Sequence, residues 1–149
     1  MTTIVRDSPA SLFETGGVPV ILIVDDSKSM RVLLREMLAD DEYRIEEAFD
    51  VDDALQKFEQ SRPDMVLLDF VMPKMDGVAL CRKLRETAGG ATVPVLMVSM
   101  LEDPRSVELA FDAGVTDYVT KPVYMPVLRK RVKYLLKAST TEHHIRHLA

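Results

Sequence analysis

Short, wholly apolar runs and stretches of helical periodicity alternate along this chain. "PVILIVD" (19–25), "DMVLLD" (64–69) and "VPVLMVS" (93–99) are runs of branched or bulky apolar residues, the pattern of strands buried on both faces. "YRIEEA" (43–48) alternates more weakly and reads as an outer strand. "VTDYVT" (115–120) reads as the last strand. Between them lie segments with helical spacing. Met30, Leu33, Leu34, Met37 and Leu38 mark a helix over 27–40 with Ser27 as N-cap. Ala54, Leu55 and Phe58 mark one over 50–60. "GVALCRKLRET" (77–87) is closed by Gly89 and Gly90. "DPRSVELAFDAG" (103–114) has Pro in its first turn and Gly at its end. A last helix over 123–139 is expected to turn Val127, Leu128, Val132, Leu135 and Leu136 inward. Five strands alternating with five helices imply an α/β fold, a doubly wound parallel sheet covered on both faces.

In such sheets ligands gather beyond the carboxyl ends of the strands. Polar residues stand at those ends here: Asp25 and Asp26 after the first run, Asp69 after the second, Ser99 closing the third, and Lys121 after the last. Converging carboxylates repel one another and raise their pKa values unless a cation joins them. An incomplete set of hard oxygen ligands suits Mg²⁺, which keeps waters and takes phosphate oxygens. Lys121 and the Ser99 hydroxyl could then serve a phosphoryl group carried by Asp69.

Composition narrows the partners. With 24 acids against 19 bases the net charge is −5, which argues against a surface that coats nucleic acid. The longest clean apolar run, Val18–Val24, contains Pro19 and falls far short of the roughly 18 residues a membrane span requires. Cys81 is the single cysteine, so no internal disulfide can form, which suits a reducing compartment. A length of 149 residues fits one core domain at 19–138, preceded by an arm at 1–18. Residues 139–149 read as a tail or the start of a linker. Ile145 and Leu148 extend a faint helical pattern beyond Leu136, as a signalling stalk would. His143, His144 and His147 read as surface tail rather than a metal site.

The motifs "LIVDDS" (22–27), "MVLLDFVMPKMDG" (65–77), "VPVLMVS" (93–99) and "AFDAGVTDYVTKP" (110–122) together resemble the receiver domain of two-component response regulators. The resemblance spans about residues 19–138, including the thirty positions from Asp69 to Ser99 and the twenty-two from Ser99 to Lys121. It implies a flavodoxin-like sheet in the order 2-1-3-4-5 and a cis Lys121–Pro122 peptide. Carried over residue by residue, Asp69 is the expected phosphoacceptor. Asp25, Asp26 (the more direct ligand), Asp69 and the Val71 backbone carbonyl are the expected Mg²⁺ ligands. Ser99 and Lys121 serve the phosphoryl group, and Ser99 with Tyr118 forms the switch. The implied partners are a sensor histidine kinase or phosphotransfer protein, and an output domain or partner protein controlled through the 103–138 face, with a phosphorylation-dependent homodimer as a further form. The implied location is the cytoplasm, with no direct nucleic-acid or membrane contact.

"TKPVYMPVLRKRVKYLLKAS" also resembles receivers joined to diguanylate cyclase domains, whose activity would lie outside this chain. On this reading the chain is no enzyme beyond Mg²⁺-dependent self-phosphorylation. An aspartyl-nucleophile phosphatase commonly carries a second Asp two residues after the first, but position 71 is Val. A receiver fold used only as a non-phosphorylated interaction module is the alternative, and it would be expected to lack one of the chemical residues present here. The sequence departs from the family's pattern at Met100, which would either pack or cover the site. It also departs at Val71 and Leu101, apolar where many relatives carry polar groups.

Overall fold

The computed structural model describes residues 17–39, 41–72 and 76–148, with side chains through Ser139. The expectations about the N-terminal arm, apart from its last two residues, and about the tail histidines lie outside those residues and side chains. Strands β1 (Val20–Val24), β2 (Arg44–Ala48), β3 (Met65–Leu68), β4 (Val95–Ser99) and β5 (Asp117–Thr120) alternate with helices α1 (Lys28–Met37), α2 (Val51–Ser61), α3 (Gly77–Glu86), α4 (Pro104–Asp112) and α5 (Met125–Leu148). The strands form one parallel sheet in the order β2-β1-β3-β4-β5. This is the flavodoxin-like α/β arrangement the sequence implies.

Strand alternation divides the core in two. Ile21, Ile23, Met65, Leu67, Leu96 and Val98 meet Leu34 of α1, Leu38 at its C-cap, and Leu128, Val132, Leu135 and Leu136 of α5. Their neighbours Leu22, Val24, Val66, Leu68, Val95 and Met97 face α2, α3 and Ala110 of α4. Both faces of the inner strands are therefore dry, which is why β1, β3 and β4 read as unbroken apolar runs. Burial of each large side chain contributes about 1.5–3 kcal/mol.

Polar residues set the element ends. Ser27, Asp50, Asp76 and Asp103 are N-caps whose side chains accept a backbone N–H three residues on. The buried Asp64 carboxylate accepts the Val20 N–H at 2.7 Å and so ties the start of β3 to β1. β4 starts at Val95 rather than at the expected Val93, because Pro94 has no N–H to give a ladder. β5 starts at Asp117 rather than Val115, because the Val115 N–H is spent on Ala110 O at the end of α4.

One inward assignment is corrected: Val127 is 42% exposed. Leu33, which helped mark the first helix, is 41% exposed. In α5 the buried stripe is Leu128, Val132, Leu135 and Leu136, at offsets of 4, 7 and 8, and Val127 lies about 100° off it. The same helix begins two residues later than expected and continues through the 138/139 boundary to Leu148. Among the described residues no helix is long and apolar enough to cross a membrane.

Candidate functional site

The register places the acids side by side. Val24 pairs with Leu68, and the Asp69 N–H donates to Val24 O at 3.0 Å, so the residues leaving β1 and β3 emerge together. β1 has β2 on one side and β3 on the other, which makes this the topological switch point. Carboxylate oxygens of Asp25, Asp26 and Asp69 lie within 4.8 Å of one another. Asp25 and Asp69 are buried, whereas Asp26 is exposed.

Each acid is held differently. Asp25 Oδ1 accepts the Ser27 N–H at 2.9 Å, and its Oδ2 lies 3.5 Å from Lys121 Nζ. Asp69 Oδ1 accepts a long bond from the Val71 N–H at 3.5 Å and lies 3.8 Å from the same ammonium. Lys121 therefore stands between Asp25 and Asp69, delivered by the loop after β5, where the Lys121–Pro122 peptide is cis.

One cation against three acids leaves negative charge uncompensated. Burial and then the Asp25 charge push the Asp69 carboxyl up to about 6, against the lowering effects of Lys121 and the Val71 N–H. A divalent cation is the group that would offset this charge. Three hard oxygens on one side, one acid open to solvent, suit Mg²⁺ better than a soft metal.

The glycine that closes "MVLLDFVMPKMDG" has a steric reason. A Cβ on Gly77 would stand 2.0 Å from Asp69 O, and the Gly77 N–H donates to Phe70 O at 2.6 Å. Only glycine lets the start of α3 close onto the backbone that carries Asp69.

Ser99 is fully buried at the end of β4, and its hydroxyl accepts the Leu101 N–H at 3.1 Å. Tyr118 is half-buried and donates its hydroxyl to Leu101 O at 2.6 Å. Both sequence-expected switch residues thus converge on the loop between β4 and α4. Met100 is 76% exposed and does not pack, and Val71 is 58% exposed.

Sequence reasoning passed over two arginines. Arg31 in α1 reaches back to Asp25 O, and Arg85 in α3 gathers backbone carbonyls at the opposite end of the sheet. No sequence motif marks either, because the carbonyls they grip are backbone atoms. The six-residue step from Asp25 to Arg31, one turn into a capped helix, is the one signal that could have been read for the first.

Residues 21–133 match the family model of the response regulator receiver domain. The chain is 37% identical over 122 residues to the response regulator MprA of Mycolicibacterium vanbaalenii, across 82% of this chain and 52% of that protein. The chain thus spans about half the length of the curated relatives it matches. Among solved structures it resembles the chemotaxis protein CheY4 of Vibrio cholerae. The TM-score there is 0.77 at 28% identity, covering 80% of this chain and 99% of that one. It also resembles the signal receiver domain of a signal transduction histidine kinase from Syntrophus aciditrophicus. That match has a TM-score of 0.75 at 36% identity, covering 81% of this chain and 92% of that one.

Proposed function

The chain belongs to the response regulator receiver domain family, and on that premise we propose that it accepts a phosphoryl group on Asp69. The donor is a sensor histidine kinase or a phosphotransfer protein. The observation that carries this reading is the trio of carboxylates within 4.8 Å, two of them buried, against the ammonium of Lys121. Asp25, Asp26, Asp69 and the Val71 carbonyl would hold Mg²⁺, which when bound offsets their charge and that of a phosphoryl group.

Asp69 supplies the nucleophile. Its carboxylate oxygen forms the new bond to phosphorus as the donor's P–N bond breaks, and the electron pair leaves on the donor nitrogen. Lys121 is placed to pair with a phosphoryl oxygen. Ser99 would give up its bond from Leu101 to donate its hydroxyl to another, and Tyr118 would follow into the space vacated. The added charge and acceptor oxygens bias a pre-existing equilibrium. The face built by residues 103–138 then signals to an output domain or partner protein, or pairs with a second copy. A diguanylate cyclase is one such output. On this reading the working parts would be an arm at 1–18, the receiver at 19–138 and a tail or linker start at 139–149, placed in the cytoplasm.

Acetyl phosphate with Mg²⁺ should add one phosphoryl group by intact mass, and chelation of Mg²⁺ should prevent it. Labelling that is absent, or indifferent to chelation, would contradict the proposal.

The phosphorylated state should be long-lived. Hydrolysis requires water held in line, and the exposed Val71 and the apolar Leu101 offer no group to hold it. Val71→Asn with Leu101→Glu is expected to speed decay several-fold in Mg²⁺ after acetyl phosphate is removed. A double variant that decays no faster would show that these positions do not set the lifetime.

A further inference from the structure

Arg31 lies one turn into α1, its N–H bonded to Ser27 O at 3.0 Å. Helical side chains lean toward the helix N-terminus, which returns its guanidinium to the end of β1. There Nη1 donates to Asp25 O at 2.8 Å while Nε donates to Glu47 Oε1 at 3.0 Å. Glu47 pairs with Ile23 in the β1–β2 register, and its other oxygen takes Arg35 Nε at 2.7 Å. Both carboxylate oxygens are thereby held, and Glu47 braces Arg31 against rotation. The Arg31 side chain is only 14% exposed.

We propose that Arg31, braced by Glu47, is a positioning residue that aims the acidic pair Asp25–Asp26 at the cation. This rests on the reading of those acids as Mg²⁺ ligands. The carbonyl that Arg31 grips belongs to the peptide joining the two acids, and a peptide unit is planar. Fixing its oxygen fixes the plane from which Asp26 departs. The Ser27 N–H, bonded to Asp25 Oδ1, pins the following peptide as well. Asp26 is exposed, so its aim depends on this backbone. Charge alone does not account for the arrangement, because the group Arg31 grips is a neutral backbone carbonyl and Glu47 is shared with Arg35. What matters is the planar fork, which serves two partners in fixed directions and which a lysine cannot reproduce.

The test uses the whole chain and two readouts: Mg²⁺ affinity by calorimetry, and amide exchange of the metal-free protein. Arg31→Gln and Arg31→Lys should each weaken Mg²⁺ binding about tenfold, the lower end of what loss of a ligand-orienting partner produces. The Asp26 and Ser27 amides should exchange faster, with β3 and β4 unchanged. Glu47→Gln, which keeps an oxygen for Nε, should restore most of the affinity that Glu47→Ala loses. Wild-type affinity in Arg31→Lys would overturn the positioning role and leave the site reading standing. A wild-type protein that binds no Mg²⁺ would overturn the site reading and this one together. Should the Arg31 variants fail to fold, Glu47→Ala carries the same test from the strand side, and an unchanged affinity there overturns the proposal.

Discussion

Asp69→Asn is expected to abolish labelling by acetyl phosphate and, in the absence of Mg²⁺, to make the folded protein more stable near neutral pH. Asparagine keeps the shape of the side chain but loses the nucleophilic charge, so no acyl phosphate can form. The stability gain follows from the wild-type carboxyl being pushed up to about 6, by burial first and then by Asp25. A carboxyl whose folded pKa exceeds its unfolded value of about 3.9 prefers to be protonated in the fold. Its ionisation therefore costs stability progressively as pH rises from about 4 through about 6, and fully above that. Two units amount to nearly 3 kcal/mol, and the solvent-open rim reduces this to roughly 1–2 kcal/mol. The variant's advantage should be largest at pH 7.5 with a chelator, shrink at pH 5, and shrink again as Mg²⁺ is added to the wild type. Urea unfolding at those two pH values measures it. A variant no more stable than wild type at pH 7.5 without Mg²⁺ would mean that Lys121 already balances the site.

Arg85→Met is expected to destabilise the fold by about 2–4 kcal/mol, in the range of buried polar networks that lose one member. Arg85 leaves α3 and gathers oxygens at the amino-terminal end of the sheet. Its Nε and Nη2 donate to Gly114 O at 3.0 and 2.6 Å, and its Nη1 donates to Gly90 O and Val93 O. A weaker contact reaches Thr116 Oγ1 at 3.4 Å, and that oxygen also accepts the Val95 N–H. The guanidinium thus joins the end of α3, the loop before β4 and the end of α4, spending all five of its N–H groups. Burial disfavours its charge and lowers its pKa, and the carbonyls it grips take the place of water around it.

Methionine fills part of the volume but leaves those carbonyls without donors. Lysine is a poor substitute for the same reason, because it has no planar fork. In a domain of this size the loss corresponds to a drop in Tm of roughly 5–15 °C. The denaturation midpoint should fall with little change in m value, since the folded surface is otherwise the same. Gly114 belongs to this arrangement. Its φ is +106°, and a Cβ there would meet the Arg85 side chain at 3.0 Å. A loss below 1 kcal/mol in Arg85→Met would show that water can replace the guanidinium at these loops.

Much of the site is legible in the sequence, and the reason is topological. Once apolar runs and helical segments alternate, the strands must be parallel and their carboxyl ends must share one rim. Asp25, Asp26, Asp69, Ser99 and Lys121 could then be assigned to that rim from their places after the strands. The helix starts were legible for a local reason, since Ser27 and Pro104 act within one turn of themselves. Less legible were residues whose setting depends on angle. Val127 and Leu33 follow an apolar pattern in the sequence, yet each lies off the buried stripe once the helices are docked.

What the sequence by itself determined is the order of elements, the two dry faces of the sheet and the identity of the chemical side chains. All of these follow from periodicity and from residue type. What only the tertiary structure decided is how those side chains are held. The contact of Lys121 with both Asp25 and Asp69 spans the chain from β1 to β5, and the raised pKa of Asp69 needs both the burial and the neighbour. The grips of Arg31 on Asp25 O and of Arg85 on Gly90 O, Val93 O and Gly114 O are aimed at backbone carbonyls. Every residue carries such a carbonyl, so a sequence cannot say which one will point at a guanidinium. That direction exists only when strands, turns and helix ends are fixed against one another.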